Sequence, residues 1–202
     1  MRNILFMILF LCNHSAESQQ RGGFEQYYFS GCERLLPSLS MRGYYQSAQK
    51  WYTEIRYNYE EAGIIAVSAG KTFSVQKNSI NASFTPVAGF CGGKRPGAAA
   101  GLNTTVSYKS LAFTSSLQYT SSLDGEGNNQ LYSWSELDWQ LSSFIYVGAT
   151  IQQTWMHTVE NNWEPGLQIG FSFKNWTFPF YVFNPASGQR YFAAGICREW
   201  KK

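Results

Sequence analysis

Residues 50–70, KWYTEIRYNYEEAGIIAVSAG, decide the fold. From Trp51 to Tyr59 the odd positions carry Trp51, Thr53, Ile55, Tyr57 and Tyr59, apolar or aromatic in every case but one. The even positions carry Tyr52, Glu54, Arg56 and Asn58. After a short break at 60–63 the period of two resumes, with Ile65, Val67 and Ala69 set against Ala66, Ser68 and Gly70. Side chains alternate faces along a strand, so this reads as a hairpin with one apolar face and one polar face. The same pattern recurs down the chain with Trp, Tyr and Phe along the apolar face. That combination predicts a closed antiparallel, up-and-down transmembrane β-barrel. A soluble secreted calycin-like barrel is the fold-level rival.

Working outward, period-two segments fall at 38–46, 64–75, 80–91, 98–109, 111–120, 131–140, 144–155, 165–174, 176–184 and 191–200. Short connections at 47–49, 76–79, 109–110, 141–143 and 174–175 alternate with longer or breaker-rich ones at 31–37, 92–97, 121–130, 156–164 and 185–190, apart from the brief link at 60–63. Outer-membrane barrels show this alternation of short periplasmic turns and longer outer loops. About ten residues at ~3.3 Å each, tilted by ~45°, rise about 23 Å, close to the ~25 Å apolar band of such barrels. Counting from Ser38 gives eleven strands, and a first strand at 24–30 makes about twelve; ten is the alternative if the segments before Lys50 lie outside the wall. Pro86 cannot donate to a ladder, so a bulge is expected there.

Bulk properties agree with one domain. Aromatic residues make up 17% of the chain and charged residues only 14%, well below the usual quarter. A net charge of +3 gives no case for a nucleic-acid partner. Residues 1–18 read as a signal peptide, with Arg2 ahead of an apolar run at 4–11 and a polar end at Ala16-Glu17-Ser18. The barrel domain is then 19–202, with 19–37 a first strand or an N-terminal extension. Cys12 raises a lipoprotein alternative, against which stands the bulky Leu9-Phe10-Leu11 before it. Cys32, Cys91 and Cys197 are too few and too widely spaced for a disulfide scaffold or a zinc site, and no metal or cofactor is expected. Cys32 and Cys91 both fall near outer strand ends, which allows a bridge between them; Cys197 lies nearer the periplasm and is expected to stay free.

Arg56-Tyr57-Asn58-Tyr59-Glu60, Gly70-Lys71-Thr72-Phe73-Ser74, Gly101-Leu102-Asn103, Tyr132-Ser133-Trp134-Ser135-Glu136-Leu137 and Tyr181-Val182-Phe183-Asn184 resemble stretches of small, functionally uncharacterised bacterial outer-membrane β-barrel proteins. The resemblance spans roughly 51–184. It implies the fold and the outer membrane of a Gram-negative bacterium, with membrane lipid and the barrel-assembly machinery as partners; it carries no activity. One departure is the end: Trp200 is followed by Lys201 and Lys202, whereas many barrel proteins close on the aromatic that the assembly machinery reads.

Alternation places Arg42, Glu54, Arg56, Glu136 and Asp138 in the lumen at similar depth, with Tyr44, Tyr52, Tyr132 and Trp134 beside them. These residues serve either as a structural charge belt or as a ligand lining. Opposite charges in a confined interior are expected to pair, with Arg42 and Arg56 bridging to Glu54, Glu136 and Asp138 and closing the lumen. His157 stands near Glu160, Thr154 and Thr158, but a general base needs a nucleophile in reach, and a solvated loop histidine is the favoured reading. Asn81, Asn103 and Asn175 head Asn-x-Ser/Thr triplets; two of them sit on strands, where a glycan has no room. The functional expectation is a non-enzymatic barrel in a structural or surface-interaction role, its extracellular ligand not identified. A small-solute channel is the first alternative and a hydrolase at the barrel rim the second.

Overall fold

The computed structural model describes residues 19–31, 38–123, 129–156 and 159–202. The expected signal peptide, Cys12, Cys32 and His157 lie outside the described residues. Thirteen strands build one antiparallel sheet: β1 Arg21–Ser30, β2 Ser38–Gln46, β3 Trp51–Tyr57, β4 Ile64–Lys71, β5 Phe73–Lys77, β6 Ile80–Gly93, β7 Gly97–Tyr108, β8 Leu111–Ser122, β9 Gln130–Gln140, β10 Ile145–Met156, β11 Val159–Phe173, β12 Trp176–Phe183 and β13 Tyr191–Lys201. Pairing of β1 with β13, and of β4 with β6, closes the sheet on itself. The wall is therefore a transmembrane β-barrel with no free lateral edge.

The barrel has twelve wall positions, not thirteen, because β4 and β5 are one strand interrupted. Gly70 pairs with Val87 and Phe73 with Phe84 in a single register along β6. The gap at Lys71 and Thr72 faces Thr85 and Pro86, where a proline has no N–H to give. No bulge forms at Pro86, contrary to expectation; the ladder lapses in the partner strand instead. β1 pairs on both sides, with β2 and with β13, so Arg21–Ser30 and Ser38–Gln46 belong to the wall and the ten-strand alternative falls. The loop expected at 156–164 is mostly strand, since β11 begins at Val159. Polar residues there suggested a loop, but the β10–β11 hairpin continues beyond the apolar band.

Both ends of the described chain stand on one rim, called lower here, where the Lys202 amide donates to the Gln20 carbonyl at 2.9 Å. The outer surface is apolar by position. Ile55, Val67, Leu102, Leu117, Leu137 and Ile169 are exposed around its middle. Tyr45, Trp51, Tyr108, Trp139, Trp176 and Trp200 are exposed near the lower rim, and Phe90, Trp155, Trp163 and Phe192 near the upper one. Two aromatic girdles flanking an aliphatic band match the interfaces and core of a bilayer. Cations crown the lower girdle: Lys71 lies over Trp51, Lys109 over Tyr108 and Arg198 over Trp176 at 5.5, 5.2 and 5.0 Å. Their apolar stems can lie against the band while the charges reach the headgroups.

Candidate functional site: the lumen

Alternation in β3 sends Tyr52, Glu54 and Arg56 inward, all buried. Glu54 is the hub. It accepts from Arg56 Nη2 at 2.9 Å, Arg42 Nε at 3.1 Å, Tyr52 Oη at 2.8 Å and Ser68 Oγ at 2.9 Å. Arg42 also donates to Glu25 at 3.3 Å and to the Tyr52 hydroxyl at 2.9 Å. Arg56, 1% exposed, reaches across the lumen from β3 to Asn103 on β7 at 3.1 Å and Ser116 on β8 at 2.8 Å, while its other nitrogen holds Glu60 at 3.0 Å. Two guanidiniums thus serve three carboxylates, and charged hydrogen bonds of this kind are the strong ones.

Arg42, Arg56 and Glu54 meet, but Glu136 and Asp138 do not join them. Glu136 accepts from the Tyr181 and Thr114 hydroxyls at 2.8 and 3.4 Å, and Asp138 accepts from the Gln168 amide. Their expected places beside the arginines are taken by Glu25 and Glu60. Depth along a strand was the signal used, and it ignores position around the ring: β9 stands across the lumen from β2 and β3.

An aromatic layer spans the lumen. Trp134 on β9 lies against Tyr27 on β1 with ring centroids 4.9 Å apart, Tyr59 at 5.6 Å and Tyr181 on β12 at 5.6 Å. β9 and β1 are on opposite sides of the ring, with four strands between them one way and six the other. The Arg56 guanidinium lies 5.0 Å over the Tyr59 ring, which links the aromatic layer to the charge belt. Tyr44 and Tyr52 stack at 6.0 Å, and Tyr132 meets Tyr59 edge-on at 6.0 Å.

Tyr59 was expected on the outer face by parity. Asn58 takes a positive φ of 51°, which breaks the alternation and turns Tyr59 inward to 8% exposure. Tyr27, Tyr181, Phe183 and Tyr191 complete the buried cluster, and sequence reading singled out none of these four for the lumen. In β1 the parity Arg21, Glu25, Tyr27, Phe29 mixes charge with aromatics, so neither face announces itself as the lipid side.

Below this layer lies a cavity of about 310 Å³, running from Arg21, Tyr44 and Glu199 at the lower rim up to Tyr27, Tyr59 and Trp134, with Glu25, Arg42 and Glu136 on its walls. Cys91 is a buried free thiol, 3.7 Å from the Thr120 hydroxyl; its expected partner Cys32 is outside the described residues. Cys197 is also free. His157, read from the sequence as a solvated loop histidine, is likewise outside them.

No protein-family model matches the sequence, and no curated protein sequence matches it. Solved structures do. The KdgM porin superposes with a TM-score of 0.55 at 11% identity, over 87% of this chain and 98% of that one. The same porin in complex with disordered oligogalacturonate gives 0.53 at 11% identity, over 88% and 98%. The NanC porin gives 0.53 at 10% identity, over 90% of this chain and 99% of the other. The likeness to these porins is one of fold, and the sequence resemblance to an uncharacterised outer-membrane family has no family match behind it. What these superpositions share with the chain is the barrel fold.

Proposed function

We propose that this chain is a non-enzymatic outer-membrane channel for small solutes in a Gram-negative bacterium, closed in the present conformation by the layer around Trp134. This reverses the order expected from the sequence, where a structural or surface-interaction role stood first. The observation that carries it is the lumen, which holds a polar cavity below the aromatic cluster and further buried polar side chains beside and above it on β8, β9 and β10. Below is the cavity walled by Arg21, Glu25, Arg42 and Glu136. Gln152 stands beside Trp134 as its cross-strand partner, and Gln118, Thr120 and Gln130 lie above; all four are buried, and Gln130 Nε2 and Gln152 Nε2 have no hydrogen-bond partner among the described residues. A permanent structural filling satisfies its buried polar groups; a water path leaves them for solvent and solute. Twelve strands lie between the filled eight-strand and the open sixteen-strand barrels, so the width permits either. The similarity to the KdgM and NanC porins supports the same reading.

Planar-bilayer recording tests it. Wild-type protein should show small, interrupted conductance, and Trp134→Ala should raise the open-state conductance severalfold. If both proteins run as folded barrels by heat-modifiable gel mobility yet neither conducts, the channel fails and the plugged structural barrel stands.

A further inference from the structure

Glu136 and Asp138 are lumen acids in no ion pair among the described residues, unlike Glu25, Glu54 and Glu60 with their arginines and Glu199 with Lys201. Arg42 is engaged by Glu25 and Glu54, and Arg56 by Glu54 and Glu60. Their hydrogen-bond partners are neutral instead: the hydroxyls of Thr114 and Tyr181 and the amide of Gln168, which serve Glu136 and Asp138. The strands around them are cut low to make room. A side chain at Gly148 would collide with the Asp138 carboxylate, and one at Gly170 with the Tyr146 ring that lies over it. Tyr181 reaches Glu136 across the two intervening strands β10 and β11.

A second observation is independent of the acids. Gln168 is 5% exposed; it spends its amide nitrogen on Asp138 and leaves its amide oxygen without a hydrogen-bond partner among the described residues. A buried acceptor left open beside two carboxylates that lack a cation is a site short of donors. Every unsatisfied atom there asks for an N–H. Among the described residues no three His, Cys, Asp or Glu side chains gather as metal ligands, and Trp134 lines the same cavity as Glu136; an aromatic wall beside a carboxylate favours an organic cation.

We propose that Glu136, Asp138 and the Gln168 amide oxygen form a receptor for a small primary ammonium compound in the lumen. A protonated amine brings three donors to three acceptors and a charge to an uncompensated pair. Same-face neighbours on a strand project about 6.6 Å apart, close to the spacing of the two nitrogens in extended 1,4-diaminobutane, so a short diamine can engage both acids at once. That the site lies on a solute path rests on the channel reading; that it binds ammonium does not.

The test is equilibrium titration of the folded protein in detergent at pH 8, read by calorimetry and by Trp fluorescence, with 1,4-diaminobutane, the neutral 1,4-butanediol and the anionic galacturonate as probes. The diamine should bind, weaken as salt is raised, and bind at least about tenfold more weakly to both Glu136→Gln and Asp138→Asn, each checked for heat-modifiable mobility. Gln168→Leu, which removes the acceptor without touching a charge, should weaken binding while keeping its salt dependence. No diamine binding, equal binding of the diol, or binding untouched by the Glu136→Gln and Asp138→Asn changes overturns the proposal. Binding by a barrel that does not conduct leaves the receptor standing and removes the channel; conduction without diamine binding does the reverse.

Discussion

At the scale of single residues, Arg56 is the side chain on which most of the lumen leans. Its guanidinium is shared among Glu54, Glu60, Asn103 and Ser116. Arg56→Met leaves two buried carboxylates short of a cation, and breaking a buried pair in this way costs about 3–5 kcal/mol. Urea unfolding of the refolded barrel should show a loss of that order, and the added change Glu54→Gln should recover part of it. A loss no larger than that of a surface substitution would mean the belt is solvated and replaceable. Parity along β3 and β2 was enough to turn Arg42, Glu54 and Arg56 inward from sequence alone. It could not choose their partners, because Glu25 comes from the first strand and Glu60 from a loop that the positive φ of Asn58 redirects.

At the scale of elements, two upper loops are clasped together. Glu61, between β3 and β4, accepts from Lys94 at 2.6 Å and from Arg95 Nη2 at 3.0 Å, both between β6 and β7. Arg95 also reaches Met156 Sδ at the upper end of β10, 3.8 Å away. Burial pushes the Glu61 carboxyl up, but hydrogen bonds from Lys94 and Arg95 outweigh it and hold the group below the ordinary carboxylate range. The folded value being the lower one, the clasp contributes fully above the ordinary carboxylate value and is lost as pH falls through the lowered one. The Lys94 amide, which donates to the Gly63 carbonyl at 2.9 Å, should therefore lose exchange protection on acidification, and Glu61→Gln should lower its protection at neutral pH. Acid-independent protection in the wild type would remove the clasp. Strand-level reading was accurate where alternation is strict, and it missed β5 as a separate element because the cause, a missing donor at Pro86, sits in the neighbouring strand.

At the scale of the whole molecule, the two rims should face different compartments. Cysteines placed at Lys94 and Lys109, in a protein whose Cys32, Cys91 and Cys197 are replaced by serine, should differ in labelling by an impermeant maleimide on intact cells. The Lys94→Cys form should react, and the Lys109→Cys form only after the membrane is opened. The opposite result inverts the barrel. Closure, strand direction and the lipid face were legible because a bilayer imposes one rule on every strand. The contents of the lumen were less so, since contacts such as Trp134 with Tyr27 join residues far apart in the chain and on opposite walls.

The ladder between β1 and β13 stands apart from every other pairing. The rest join segments that follow one another along the chain or, for β4 and β6, flank a five-residue strand. Those hairpins can nucleate locally, whereas this one must bring Arg21 to Lys201. Non-local pairings slow folding even when the added loop entropy is modest. Until that zipper shuts, β1 and β13 are open templates for another chain. The seam is then the rate-setting step of assembly, and its two strands are where a misassembled population would arise.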